Sequence, residues 1–341
     1  MINNEGHFRP WGRIQDILRS QSDEQWALIG CASFESRCTS VFTEMHALRI
    51  SGPQLIFEVD DPLSISTPEI ERLTAQNLAY IEGLGFQDQL IVNVGLTDAF
   101  KEIERALKQF LGSIGHRNLI VDITSLPKKV YFFVTKLLFQ DPEGPRNVVF
   151  TYAEPERYSE EPLAANPDPW EALPGFRISP SDEIARSVVV GIGYEPLGLP
   201  DLVDSGKFDE TQMTFLFPFP AQADRVARNW QFIRGIFPNA DSNRLSIKRV
   251  DGINVPEVFQ ALSSLGEGGE LALTLAPFGP KPVSLAMALY AARHSSQNAQ
   301  TGVYYTQPTY YNPNYSSGVR QIDGQPVVNA YCVKSAGQFL Y

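Results

Sequence analysis

The sequence predicts two tandem Rossmann-like α/β halves, each a mainly parallel sheet flanked by helices, the second a shortened copy of the first. Three observations carry this expectation. Short β-branched runs alternate with amphipathic stretches, the pattern of βαβ crossovers. The alternation breaks off in a stretch rich in Pro and acidic residues and then restarts. One fixed offset also carries turn residues of the first set onto the second. A chain of 341 residues exceeds what one core usually organises, and 43% hydrophobic with 20% charged residues is globular composition.

Taken in order, strands are expected at Trp26 to Ile29, Gln54 to Val59, Gln89 to Val94, Asn118 to Ile123 and Asn147 to Tyr152. Helices are expected between them, at Glu35 to Leu48, Pro68 to Leu84, Asp98 to Leu111 and Pro127 to Gln140. Residues 154–182 read as a long surface connection, because Pro, Glu and Asp dominate there. Ser187 to Gly193 then reads as one more strand of the first half, and Tyr194 to Glu210 as the link. The second set has strands at Met213 to Phe217, Arg244 to Val250, Glu270 to Leu275 and Gly302 to Tyr305. Helices fall near Ala221 to Ile236, Pro256 to Leu265 and Pro282 to His294, and Val327 to Val333 closes the half. The expected division is therefore 1–205 and 206–341.

An offset of 153 residues places Pro127 on Pro280, Lys128 on Lys281, Tyr152 on Tyr305, Pro155 on Pro308 and Tyr158 on Tyr311. The helix after each lysine repeats one apolar face: Val130, Phe133, Val134, Leu137 and Leu138 against Val283, Ala286, Met287, Tyr290 and Ala291. Upstream, Trp26 to Ile29 followed by Arg37 matches Thr214 to Phe217 followed by Arg225, at an offset of 188. The difference of 35 residues is one βα unit, so the second half is expected to lack one.

Open α/β sheets bind ligands at the carboxyl ends of their strands. There the first half offers Phe34, Glu35 and Arg37, then Asp122, Thr124, Ser125 and Lys128, then Tyr152 and Tyr158. The second offers Arg225, Gly279, Lys281, Tyr305 and Tyr311. Lysine and arginine supply charge for phosphate, small residues let the backbone approach, and tyrosines flanking a proline can stack on a base. Each also has a structural reading: Asp122 and Thr124 as helix caps, Arg37 as a loop fastener, the tyrosines as packing.

Other classes are disfavoured by what the chain lacks. Neither a GxGxxG after a first strand, nor GxxxxGK[ST], nor GxSxG occurs. Histidines 7, 46, 116 and 294 are scattered, and Cys31, Cys38 and Cys332 form no CxxC, so no metal or other cofactor is expected and the thiols read as reduced. A net charge of −11 argues against general DNA binding. No apolar run is long enough to span a membrane and the first twenty residues do not look like a leader, so a cytoplasmic protein is expected.

The segment Asp122-Ile-Thr-Ser-Leu-Pro-Lys128 resembles the [Asp/Asn]-x-[Ser/Thr]-x-x-x-[Arg/Lys] signature of CRISPR-associated Rossmann-fold (CARF) sensor domains. Gly279-Pro-Lys281 is similar to the Gly-x-Lys turn many of them carry, although Pro277 stands where the signature has Ser or Thr. The paired arrangement is similar to the SAVED domains, which look like two fused CARF units. The resemblance implies a sensor of cyclic or linear oligonucleotide messengers in prokaryotic antiviral defence, with Asp122, Thr124, Ser125, Lys128, Gly279 and Lys281 as ligand contacts. It also implies effector partners on separate chains or a homo-oligomer, since no nuclease, helix-turn-helix or membrane segment is recognisable. Two alternatives stay open: a nucleotide-processing enzyme using Asp122 or Glu35 as base with Arg37 and Lys128 on phosphate, and a scaffold subunit that binds no nucleotide.

Overall fold

A computed structural model describes residues 8–19, 25–60, 64–97, 100–178, 187–200, 213–219, 223–237, 246–294 and 301–341. The chain opens with β1 (Trp11–Arg13), α1 (Ile14–Leu18), β2 (Trp26–Ala32), α2 (Ser40–Ala47), β3 (Gln54–Asp60), α3 (Thr67–Gly83) and β4 (Gln89–Gly95). There follow α4 (Lys101–Ile114), β5 (Asn118–Asp122), α5 (Lys128–Gln140), β6 (Val148–Ala153) and β7 (Pro155–Tyr158). The middle of the chain contributes β8 (Ala164–Pro167), β9 (Glu171–Ala172), β10 (Ser187–Gly191), β11 (Met213–Pro218), α6 (Ala223–Ile236), β12 (Ser246–Val250) and α7 (Val255–Leu265). Then come β13 (Leu273–Pro277), α8 (Lys281–His294), β14 (Gly302–Tyr305) and β15 (Pro308–Tyr311). The chain finishes with β16 (Ser316–Val319), β17 (Gln321–Ile322), β18 (Gln325–Pro326), β19 (Val328–Ser335) and β20 (Gln338–Phe339).

Two compact units result, residues 1–160 with 313–341 and residues 161–312. In the first, the sheet runs β1-β19-β6-β5-β2-β3-β4. Strands β2 to β6 are mutually parallel, while β19 lies antiparallel on β6 and β1 antiparallel on β19. Counting the five parallel strands in chain order gives 3-2-1-4-5, the doubly wound Rossmann order. All seven residues of β2 are buried, as expected of a central strand covered on both faces. Trp26, Leu28, Phe42, Met45, Ile56 and Ile81 form one side of its core, and Ile14 and Leu18 of α1 join them. Each such side chain contributes roughly 1.5–3 kcal/mol when fully buried. Helix α4 shows the amphipathic stripe plainly, burying Ile103, Leu107, Phe110 and Ile114.

In the second unit the sheet runs β12-β11-β10-β13-β14-β9, with the first five strands parallel and β9 antiparallel on β14. Chain order again reads 3-2-1-4-5. Helix α8 is buried from Pro282 to Ala292 on every side, so it is a central helix and not a half-exposed one.

Several expectations are corrected. The division at 205/206 fails because Ser187–Gly191 is the central strand of the second sheet, paired with β11 and β13, and not a last strand of the first. The topological partner of β2 is consequently β10, not β11, and the second sheet lacks none of the five strands. The strand at 328–335 belongs to the first sheet through its antiparallel ladder with β6. Nor is the described part of 154–182 a featureless surface connection: it carries β7, β8 and β9 and buries Leu163, Leu173, Phe176 and Ile178. The expected link beyond residue 200, the start of the strand at Arg244 and the helix start at Ala221 lie outside the described residues.

Candidate functional site

In a sheet of order 3-2-1-4-5 the connections after strands 1 and 4 leave toward opposite faces, which opens a crevice at the carboxyl ends of β2 and β5. The loop after β2 carries Ser33, Phe34, Glu35 and Ser36, and a short 3-10 turn, Ser36–Thr39, then presents Arg37. The loop after β5 carries Thr124, Ser125 and Pro127, and α5 opens at Lys128. The second loop reaches back to β2: Ser125 Oγ donates to the Cys31 carbonyl at 3.2 Å. Asn77 Nδ2 of α3 donates to the Ser33 carbonyl at 2.8 Å and fixes the first loop from outside.

Within one heptapeptide the structure separates two kinds of residue. Asp122 and Thr124 are each 1% exposed. Asp122 Oδ1 accepts from Thr124 Oγ1 at 2.7 Å and Thr151 Oγ1 at 3.0 Å, while Thr124 Oγ1 accepts from the Ala153 amide at 2.9 Å. These residues lock the end of β5 to the end of β6. They do not cap α5, whose cap position is Pro127 with no side-chain hydrogen bond. Ser125 and Lys128 are only half-buried and line the rim. Lys129, next in the helix, donates from Nζ to the Leu96 carbonyl after β4.

Arg37 is 3% exposed and acts as a fastener. Its Nη2 pairs with Glu35 Oε2 at 2.6 Å, Nη1 donates to the Ala153 carbonyl at 2.7 Å, and Nε donates to Ser316 Oγ at 3.0 Å. Ser316 Oγ in turn donates to Glu35 Oε2 at 2.6 Å, so β2, β6 and β16 meet at one buried ion pair. Burial works against the guanidinium charge, but Glu35, Tyr152 and Tyr158 outweigh it and raise the Arg37 pKa. Tyr152 is buried, its ring 5.9 Å from the Arg37 guanidinium and its hydroxyl 3.1 Å from that of Tyr158. Burial, then Tyr158, pushes its phenol well above the usual value. Tyr158 packs edge-on against Tyr315 at 6.0 Å. Of the first unit's candidates, Phe34, Ser125 and Lys128 thus remain at the rim, with Glu35 half-buried behind them.

In the second unit the loops at the corresponding strand ends pack closely. An alanine Cβ on Gly193 would lie 2.3 Å from the Phe278 carbonyl oxygen, and one on Gly279 would lie 3.1 Å from that of Ile192. Trp170 stacks on both Phe278 and Tyr304, with centroids 6.1 and 5.9 Å apart. Lys281 opens α8 as Lys128 opens α5, and Tyr305 ends β14 much as Tyr152 lies near the end of β6. Tyr305 is buried against Phe278 at 5.6 Å, and Tyr311 accepts from Gln307 Nε2 at 3.0 Å. Arg225 lies in α6, and its side chain is outside the described part. Arg228 of the same helix pairs with Glu195 at 3.0 Å and covers the Tyr194 ring at 4.3 Å. Glu195 also accepts from the Leu163 amide at 3.0 Å, and burial raises its pKa.

Both units hold an Arg–Glu pair beside a tyrosine, but only the glutamates share a position after the first parallel strand, since Arg228 comes from α6 beyond β11. Sequence reasoning missed Glu195, Tyr194, Thr151 and Ser316. No local signal marks Ser316, which lies 279 residues from Arg37. Among the described residues no cluster of His, Cys, Asp and Glu could hold a metal, and no helix is long and apolar enough to cross a membrane.

Fold and site together define a mixed α/β protein with two mainly parallel, Rossmann-like sheets flanked by helices. No family model and no curated protein matches the chain. Among solved structures, the cytoplasmic domain of a prokaryotic cation chloride cotransporter is similar over 84% of this chain and 96% of its own, at 8% identity and a TM-score of 0.24. A universal stress protein from Archaeoglobus fulgidus is similar over 83% and 96%, at 7% identity and a TM-score of 0.21. Scores this low leave the functional reading to the chain's own geometry.

Proposed function

We propose that the carboxyl edge of the first sheet binds a phosphate-bearing nucleotide or short oligonucleotide. The chain then serves as a sensing module for such a messenger, acting with partner subunits in the antiviral role that the CARF and SAVED resemblance implies. The observation that carries this reading is the carboxyl edge at which β2 and β5 end side by side. Its rim holds half-buried Ser125 and Lys128 at the start of α5, a helix of thirteen residues with no side-chain cap at Pro127. Helix N-terminal amides favour anions, and an adjacent lysine adds charge suited to phosphate. Phe34 and Ser36 on the facing loop offer an apolar face and a hydroxyl for the rest of the ligand.

Sensing is favoured over turnover because each candidate base already has one carboxylate oxygen engaged inside the fold. Asp122 is held by Thr124 and Thr151, and Glu35 by Arg37 and Ser316. Calorimetry with a panel of mono-, di- and cyclic oligonucleotides tests the proposal, alongside mass spectrometry of any nucleotide released on denaturation. Lys128→Ala is expected to weaken binding about tenfold to a hundredfold with the melting temperature nearly unchanged, the range for a hydrogen bond to a charged group. Thr124→Val, by contrast, is expected to lower stability first. No nucleotide bound at millimolar concentration, or a Lys128→Ala effect confined to stability, would hand the chain to the scaffold reading.

A further inference from the structure

The outer strand β4 of the first sheet is unlike the other edges of the two large sheets. Strand β4 has seven residues, Gln-Leu-Ile-Val-Asn-Val-Gly, with no charge and no proline, in a chain of net charge −11. Leu90 is 43% and Ile91 36% exposed, and adjacent strand residues point to opposite faces, so both faces of the edge present apolar side chains. Asn93 is exposed as well, and among the described residues no strand pairs with the outer side of β4. Edges of this kind are normally guarded by charge, brevity or proline. The other edges of the two large sheets are guarded: β12 carries Lys248 and Arg249, while β1 and β9 have three and two residues.

We propose that β4 is a self-association edge, where two copies of the chain pair antiparallel across a two-fold axis at Val92. The backbone sets the register. The Asp88 carbonyl accepts from the Gln54 amide and the Leu96 amide donates to the Asp60 carbonyl, so the even-numbered residues of β4 bond inward to β3. Alternation along the strand turns the N–H and C=O of Ile91 and Asn93 outward. In a two-fold pair, Ile91 of one copy then exchanges hydrogen bonds with Asn93 of the other. Val92 faces Val92 across the axis, and Leu90 meets Val94 on the same face. A slip by one residue would oppose outward groups to inward ones and is forbidden.

Charge also fits a second copy. The same register places exposed Asp88 of one chain opposite Leu96 of the other, where Lys129 Nζ is held on the Leu96 carbonyl. Two such carboxylate–ammonium approaches flank the ladder symmetrically. Helix α4, which packs on β4, carries Lys101, Arg105 and Lys108 with Glu102 and Glu104, so no single-sign faces are brought together.

Sedimentation of the full chain tests this. The wild type is expected at twice the 38.0 kDa chain mass. Ile91→Lys is expected to raise the dimer dissociation constant by at least about tenfold, with circular dichroism unchanged, whereas Arg249→Ala on the guarded edge changes nothing. Independently, Val92→Cys in a Cys332→Ser background is expected to crosslink on mild oxidation. Opposed residues at such a non-hydrogen-bonded site lie about 4.5 Å apart in Cα, within disulfide reach. A crosslink decides the matter even if Ile91→Lys folds poorly. A wild type that stays at one chain mass up to about 100 µM, where a standard interface would be saturated, overturns the proposal. So does an association unaffected by Ile91→Lys together with no Val92→Cys crosslink. None of these outcomes depends on nucleotide binding.

Discussion

Replacing Arg37 by Met tests whether the first unit is held together at its ion pair. The side chain is 3% exposed and its Glu35 partner 11%, so neither charge is well solvated. The substitution keeps the aliphatic stem and removes three donors, to Glu35, Ala153 and Ser316. Breaking a buried pair from one side costs about 3–5 kcal/mol, mostly from the stranded partner charge. Because Glu35 keeps a bond from Ser316 and some exposure, the lower end, about 3 kcal/mol, is expected. For a unit of this size each kcal/mol moves the midpoint by about 2–4 °C, so a drop of about 6–12 °C should appear in calorimetry. Removing the stranded charge should restore much of the loss, so Glu35→Gln added to Arg37→Met is expected to cost far less than the two single changes together, with a coupling of about 2 kcal/mol. Arg37→Lys retains the charge but not the fork, and should fall between. A loss below about 1 kcal/mol, or strictly additive single changes, would refute the fastener role. Full stability with lost ligand binding would instead make Arg37 a ligand contact.

Two further outcomes follow from packing and burial. Gly193→Ala sets a Cβ 2.3 Å from the Phe278 carbonyl oxygen, which cannot yield without backbone movement. The second unit should lose about 2–3 kcal/mol in urea unfolding, and an unchanged midpoint would mean its loops are not packed through this contact. Cys332 is half-buried, and burial raises its thiol from the ordinary 9.0 to about 11. The folded state therefore holds this proton more tightly. Its contribution to stability is complete below pH 9 and is lost as pH rises through about 11. At pH 8 native alkylation should run about a hundredfold slower than in urea, and equal rates would contradict the burial.

The centres of both sheets were legible in the sequence because parallel strands covered on two faces read as unbroken apolar runs. Trp26–Ala32 and Val188–Val190 are of this kind. Which sheet a run joins was not legible, since strand order is set by contacts remote in sequence. Ser187–Gly191 reads in sequence as a last strand of the first set, yet it pairs with β11 and β13. The match of Trp26–Ile29 to Thr214–Phe217 rested on an arginine at a similar distance downstream, Arg37 and Arg225, and this spacing does not follow the topology. Prolines misled in residues 154–178. Pro155 and Pro167 sit in two-stranded ladders, β7 with β16 and β8 with β15, where the missing donor is tolerated.

At the site the limit was chemical. Residues 122–128 read correctly as a special turn at the carboxyl end of a parallel strand. Asp, Thr, Ser and Lys are all competent to touch a phosphate, and their types alone do not rank them. What ranks them is β6, the next strand of the sheet. Thr151 supplies a hydroxyl to Asp122 and Ala153 supplies an amide to Thr124, so these two are consumed in joining strands. Neither donor is marked in the sequence near the turn, since each lies 29 residues away. Ser125 reaches β2 only through the Cys31 carbonyl, and both Ser125 and Lys128 stay half-buried at the end of the turn. A motif shared by lock and mouth therefore keeps its residue types for two reasons at once. Substitutions along it should divide accordingly, stability falling at Asp122 and Thr124 and affinity at Ser125 and Lys128.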